Sequence, residues 1–131
     1  MRLLLDTHIW IWSLLDPGRL SARVKRALRQ VNNELWLSPI SVWETLLLIE
    51  KGRIVPAMGA ADWLDAALAR SPLHEAPITH AIARESRRIM LPHTDPADRF
   101  IAATARVLDL TLVTSDTRLL GCKDIVVLAN R

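Results

Sequence analysis

The feature that most constrains the fold is the run Arg2-Leu3-Leu4-Leu5, which is followed at once by Asp6 and Thr7. Three consecutive leucines are typical of a strand that is covered on both faces, as in the centre of a parallel sheet. Ligands of open α/β sheets gather at the carboxyl ends of such strands. Asp6 is therefore placed for chemistry, although capping of the next helix would explain it equally well.

Strand-like apolar runs alternate with helical segments along the rest of the chain. Further strands are predicted at residues 34–38, 73–77, 110–114 and 125–128, and helices at 7–15, 22–31, 42–52, 60–69, 79–89 and 96–108. Such alternation implies βαβ crossovers and a mainly parallel sheet. Because 131 residues fit a single domain, we predict one α/β domain spanning residues 1–131, with helices flanking the sheet.

Composition limits the compartment and the partners. The single cysteine, Cys122, cannot form an intrachain disulfide or a thiolate metal cluster, which favours a reducing cytoplasm. No apolar stretch approaches the roughly 20 residues that a membrane span needs. The formal charge of +3 permits a nucleic acid partner without demanding one. We therefore expect a cytoplasmic protein with no membrane partner.

Four acidic residues share one topological position, because each follows a strand or lies in the first turn of a helix at the same sheet edge. They are Asp6, Glu44, Asp98 and Asp116. Each alone is ordinary, and Glu44 also fits a Ser-x-x-Glu capping box that begins at Ser41. Four converging carboxylates repel one another, and such a cluster is usually kept only when a cation offsets it. Oxygen-only ligation indicates Mg²⁺ or Mn²⁺.

Several neighbouring residues have two interpretations each. Asp95 could join the acids, but we favour a role as the N-cap of the helix that follows. Thr7, Thr114 and Ser115 could hydrogen-bond a carboxylate or a metal-bound water, or could serve only their turns. Arg99 could contact a phosphate, pair with an acid or remain solvated.

Four stretches, LLLDT, SVWE, DPADRFIAATA and LVTSD, occur in this order across the chain. Together they resemble the PIN domain family and, more narrowly, the VapC-like toxins of bacterial toxin–antitoxin pairs. The pair DPADRFIAATA and LVTSD is the specific part of the resemblance, which covers essentially the whole chain. It implies a Mg²⁺- or Mn²⁺-dependent endoribonuclease with a five-stranded sheet of order 3-2-1-4-5. The metal-site acids of the family fall on Asp6, Glu44, Asp98 and Asp116.

The resemblance also implies an RNA substrate and a VapB-like antitoxin that restrains the enzyme. Trp10, Trp12, Leu14 and Leu15 make the first helix unusually apolar, so we expect part of it to receive an antitoxin segment or a second protomer of a homodimer. The remainder would be ordinary core.

Two histidines near the acids are weaker candidates. His8 directly follows Thr7, and we expect its side chain to point away from the acids and not to be a ligand. His93 precedes the Asp95 turn and could approach the scissile phosphate, although other roles are favoured.

Two other functions remain open at this point. A phosphatase or phosphotransferase would use Asp6 as a covalent nucleophile. Phosphatases of the haloacid-dehalogenase type, however, need a second acid two residues later, where this chain has His8. A non-catalytic PIN-like binding module would be indicated by a broken acid set, whereas all four acids are present here.

Overall fold

The computed structural model describes residues 1–92 and 95–131, so the prediction about His93 lies outside the described residues. The strands are β1 (Arg2–Leu5), β2 (Glu34–Leu37), β3 (His74–Glu75), β4 (Thr111–Thr114) and β5 (Val127–Ala129). The helices are α1 (Thr7–Leu15), α2 (Ala22–Arg29), α3 (Pro39–Glu50), α4 (Ala60–Ala69), α5 (His80–Arg88), α6 (Pro96–Val107) and α7 (Thr117–Leu120). Within this part of the chain, no helix is both long and apolar enough to cross a membrane.

The five strands form one sheet of order β3-β2-β1-β4-β5, in which all four neighbouring pairs are parallel. This confirms the sheet order that the resemblance implied. β1 is central, and Leu4 lies opposite Trp36 on one side and Leu112 on the other. Strand order reverses beside β1, which opens a crevice at the carboxyl ends of β1 and β4.

The leucine run is covered on both faces, as predicted. Leu3 and Leu5 belong to the core cluster that contains Ile9 and Trp10 of α1, whereas Leu4 belongs to the cluster on the opposite face. Ile101, Ala102 and Ala105 of α6 pack there. Burying each of these leucines stabilises the fold by roughly 1.5–3 kcal/mol. The sheet edge beyond β1 is thereby held in a fixed position.

The start of α3 corrects one prediction. Pro39 occupies the first turn, and the Ser38 hydroxyl accepts a hydrogen bond from the Ile40 amide at 3.1 Å. Proline suits the first helical position, so the helix begins earlier than predicted. Ser41 is consequently inside the helix and buried. The capping box was wrong, and Glu44 lies in the second turn with no capping role.

The end of α2 corrects another prediction. The helix was predicted to reach residue 31 but stops at Arg29, and Val31 beyond it is 96% exposed. The Asn33 side chain donates a hydrogen bond to the Ala27 carbonyl at 2.9 Å, which satisfies one of the last helical carbonyls and turns the chain. Leu68 of α4 is exposed as well.

The first helix offers less free surface than its composition suggested. Trp10 is buried, and Trp12 and Leu14 pack against the core, so that Leu15 alone among the four apolar residues is exposed. Of the residues expected to divide between core and partner surface, Trp10 therefore belongs to the core, and Leu15 is the one that remains exposed.

Candidate functional site

The four acids predicted to converge line one cleft of about 480 Å³ at the carboxyl edge of the sheet, and Asp95 lines it too. Asp6 and Asp116 follow the neighbouring strands β1 and β4, Glu44 comes from α3, and Asp98 from the first turn of α6. These residues are far apart in the sequence, but the parallel sheet brings them together because the carboxyl ends of its strands lie at one edge.

Asp6 combines the two roles that the sequence left open. One carboxylate oxygen, Oδ1, caps α1 by accepting a hydrogen bond from the Thr7 amide at 2.8 Å. The other, Oδ2, accepts from the Thr114 hydroxyl at 2.6 Å. Only 8% of the residue is exposed, and this burial raises the pKa of Asp6 in spite of the hydrogen bond from Thr114. Asp6 is therefore both a helix cap and a residue of the cleft.

Thr114 ties the two strand-end acids together. Its hydroxyl donates to Asp6 and accepts a hydrogen bond from the Asp116 amide at 3.0 Å. Asp116 in turn caps α7 by accepting from the Arg118 amide at 2.9 Å. The negative charge of Asp116 also contributes to the raised pKa of Asp6. The Asp6 carboxylate and the Asp116 backbone are thus joined through the Thr114 hydroxyl into one hydrogen-bonded unit. Thr114 therefore has the carboxylate-bonding role that was one of its two interpretations.

Glu44 is held by the residue that follows Asp6. The Thr7 hydroxyl donates to Glu44 Oε1 at 2.5 Å, and the Ser41 hydroxyl lies 2.9 Å from the same Thr7 oxygen. Burial raises the pKa of Glu44, and the charges of Asp6, Asp98 and Asp95 raise it further. Glu44 therefore faces the other acids across the cleft, and Thr7 positions it.

The start of α6 supplies two more acids. Asp95 caps the helix by accepting from the Ala97 amide at 3.0 Å, as predicted, and it also lines the cleft while remaining exposed. Asp98 lies in the first turn and is only 9% exposed. Both carboxylates benefit from the positive end of the helix dipole.

Arg118 lines the cleft, although the sequence did not predict it there. Its Nη2 atom lies 3.1 Å from Asp116 Oδ2 and 3.8 Å from Asp98 Oδ2, and its Nε donates to Asp116 Oδ1 at 3.3 Å. These contacts with Asp116 raise the pKa of Arg118. The available signal was its position two residues after Asp116, but α7 is a single turn and too short to show helical periodicity.

The remaining predicted residues divide between the cleft and other places. Ser115 lines the cleft. Arg99 is not among the described residues that line it, because its side chain donates to the carbonyls of Ser86 at 2.7 Å and Ile89 at 2.9 Å near the end of α5. His8 was expected to point away but lines the cleft, with its ring centroid 5.7 Å from that of Trp12.

A second cleft of about 650 Å³ adjoins the first and shares His8, Glu44 and Asp95 with it. Its walls include Lys51, Arg53 and the indole of Trp43, a residue that is 55% exposed. The acidic cleft is thus continuous with a surface that combines positive charge with an aromatic face.

The carboxylates of the cleft suit a hard cation, although they are engaged by other side chains in this structure. Among residues 1–92 and 95–131, no group of three His, Cys, Asp or Glu side chains is arranged to hold a metal ion. Glu44 accepts a hydrogen bond from Thr7, and Arg118 lies between Asp98 and Asp116. Carboxylate oxygens are nevertheless the ligands that Mg²⁺ and Mn²⁺ prefer. The raised pKa values of Asp6 and Glu44 reflect burial and negative charge that a cation would offset.

Comparison with known proteins identifies relatives of the whole chain. The family model of the PIN domain matches residues 3–122. Over 119 residues the chain is 37% identical to the ribonuclease VapC22 of Mycobacterium tuberculosis, and the match covers 88% of each protein.

Solved structures show the same fold at lower sequence identity. The VapBC2 complex of Rickettsia felis, bound to a DNA fragment from its promoter, contains a chain that matches with a TM-score of 0.73 at 16% identity, covering 98% of each chain. DNA-bound VapBC of Salmonella typhimurium matches with a TM-score of 0.70 at 17% identity, covering 100% of this chain and 99% of the other. At such identities the likeness establishes the fold.

Proposed function

Because the chain belongs to the PIN domain family, we propose that it is a cytoplasmic, metal-dependent endoribonuclease of the VapC type that hydrolyses RNA phosphodiester bonds. The observation that carries this proposal is the meeting of Asp6, Glu44, Asp98 and Asp116 around one cleft. The chain that builds this cleft is 37% identical to a ribonuclease.

Asp6, Asp98 and Asp116 would hold Mg²⁺ or Mn²⁺, with Glu44 acting directly or through a water molecule. A bound divalent cation supplies an activated water for attack and offsets negative charge in the transition state. Thr114 and Thr7 orient the carboxylates of Asp6 and Glu44, since each donates its hydroxyl proton to one oxygen. The protein thereby fixes the donor atoms in place, and both acids must be ionised to serve.

The adjoining cleft supports RNA as the substrate. Lys51 and Arg53 provide positive charge for the phosphate backbone, which makes binding sensitive to salt. The exposed indole of Trp43 offers a face on which a base of single-stranded RNA can stack. This surface lies beside Glu44 and Asp95, so an RNA strand bound along it would pass the acids.

The partner would be a VapB-like antitoxin, and we expect the protein to form a homodimer. Structures of the same fold include toxin–antitoxin complexes of Rickettsia felis and Salmonella typhimurium.

The test is cleavage of RNA by the purified protein with Mn²⁺ or with EDTA, followed by mapping of the new 5′ ends. Asp98→Asn should abolish cleavage without lowering the melting temperature. Asp62→Asn is a matched control, because Asp62 lies in the first turn of α4 as Asp98 does in α6, but is exposed and outside the cleft. Full activity of folded Asp98→Asn would contradict the proposal.

A further inference from the structure

The acidic cleft carries its own counterion. Five carboxylates line it, and among the described lining residues Arg118 is the single arginine or lysine. Carboxylates at this density disfavour joint ionisation. In the form that the structure describes, part of their charge is therefore offset by one guanidinium group.

The position of this guanidinium is determined by the acid that it accompanies. Asp116 caps α7, and Arg118 lies in the first turn of the same helix, so its side chain folds back to Asp116 through both Nε and Nη2. The Nη2 atom also reaches Asp98 on α6. A fork of two N–H groups matches a carboxylate well and gives the pair a fixed geometry. Arg118 thus bridges the two sides of the cleft.

The bridge is nevertheless easy to displace. The Arg118 side chain is 52% exposed, and an ion pair that is open to water stabilises its two partners only weakly. The acids on the other side are better shielded, with Asp98 at 13% side-chain exposure. A divalent cation that binds Asp98 and Asp116 would therefore displace the Arg118 side chain, which is free to move into solvent.

We propose that Arg118 is a tethered counterion that competes with a divalent cation for Asp98 and Asp116. This inference rests on the proposed function, since it assumes that these acids bind a divalent cation. Arg118 is a positioning residue in this account: it acts on the acids and not on the substrate.

Two opposite effects of Arg118→Gln follow. Without metal, the variant should melt at a lower temperature than the wild type, because repulsion between Asp98 and Asp116 is no longer offset. With Mn²⁺, its affinity should be higher by about tenfold in low salt, since a nearby positive charge no longer opposes the cation, and by less in high salt. Arg118→Lys should keep an affinity close to that of the wild type.

Arg106 provides the matched control. Its side chain is 45% exposed and also joins two acids, Glu85 at 3.7 Å and Asp124 at 2.9 Å. It lies near the end of α6, eight residues after Asp98 and therefore about 12 Å along the helix axis. Arg106→Gln removes the same charge and similar ion pairs away from the cleft, and should leave Mn²⁺ affinity unchanged.

The experiment is calorimetric titration of the wild type, Arg118→Gln, Arg118→Lys and Arg106→Gln with Mn²⁺ alone, in low and high salt. Tighter binding by Arg118→Gln only, reduced by salt, supports the inference. Equal or weaker binding by Arg118→Gln, or no binding by any variant, overturns it. RNA cleavage is measured separately. If the wild type cleaves RNA but Arg118→Gln binds Mn²⁺ no more tightly than the wild type, the counterion role of Arg118 is refuted and the ribonuclease proposal is not. If Arg118→Gln binds Mn²⁺ more tightly but the wild type does not cleave RNA, the ribonuclease proposal is refuted and the counterion role is not.

Discussion

Replacement of Thr114 by valine tests the hydrogen-bonded unit that joins the two strand-end acids. Valine has nearly the same shape but neither donates nor accepts a hydrogen bond. Thr114 is fully buried, donates to Asp6 at 2.6 Å and accepts from the Asp116 amide at 3.0 Å. A hydrogen bond to a charged group contributes about 1.5–3 kcal/mol, and one between neutral groups about 0.5–1.5 kcal/mol. The loss should therefore depend on whether Asp6 is ionised.

The pH dependence has a definite sign. Burial places the pKa of Asp6 above its unfolded value, so the folded protein loses stability as the pH rises through the folded pKa and the buried carboxylate ionises. The Thr114 hydrogen bond opposes that loss, since it lowers the pKa. Without it the pKa rises further, and the variant should fall further behind the wild type as the pH increases.

Urea unfolding at about pH 4.5 and about pH 7.5 measures this effect, with Thr104→Val as the control. Thr104 is equally buried, but its hydroxyl donates to the Phe100 carbonyl at 2.7 Å, where no titratable group is involved. We expect Thr114→Val to lose about 1 kcal/mol at the lower pH and about 2–3 kcal/mol at the higher, while the loss in Thr104→Val stays constant. Equal losses in Thr114→Val at both pH values would refute the reasoning.

Three further predictions concern Glu44, the second cleft and the oligomeric state. Glu44→Gln should raise the melting temperature in EDTA near neutral pH, because the raised pKa of Glu44 shows that its ionised form is unfavourable there, and should impair cleavage; a lower melting temperature would contradict this. The double variant Lys51→Gln/Arg53→Gln should weaken RNA binding and reduce the slope of log affinity against log salt concentration by the equivalent of up to about two phosphate contacts. Fluorescence anisotropy at several salt concentrations measures this slope. An unchanged slope would show that this surface does not bind the RNA backbone. Light scattering should show a dimer, and a strictly monomeric protein would contradict the proposed homodimer.

The sequence predicted what depends on long or repeated patterns. The leucine run identified β1 as central and covered on both faces. The convergence of the acids followed from one rule, that the ends of parallel strands share an edge. The order of the outer strands came from the family resemblance and not from the residues themselves.

What the sequence did not predict depends on local competition and on side-chain direction. Ser38 and Ser41 are both suitable caps, and Pro39 decides between them by a small difference in free energy. The extent of α2 depends on the Asn33 side chain, which no periodicity reveals. Arg118 and Arg99 both follow an acid of the site closely, yet one folds over the cleft and the other binds the end of α5. Only the packed structure distinguishes them.

A divalent cation bound by these acids can be located by its anomalous scattering. Crystals of the protein grown with Mn²⁺ should show an anomalous scattering peak in the cleft, in contact with carboxylate oxygens of Asp6, Asp98 and Asp116. Asp98→Asn crystals treated in the same way should lose that peak. A wild-type protein that cleaves RNA in Mn²⁺ but shows its peak elsewhere, or none, would contradict the account.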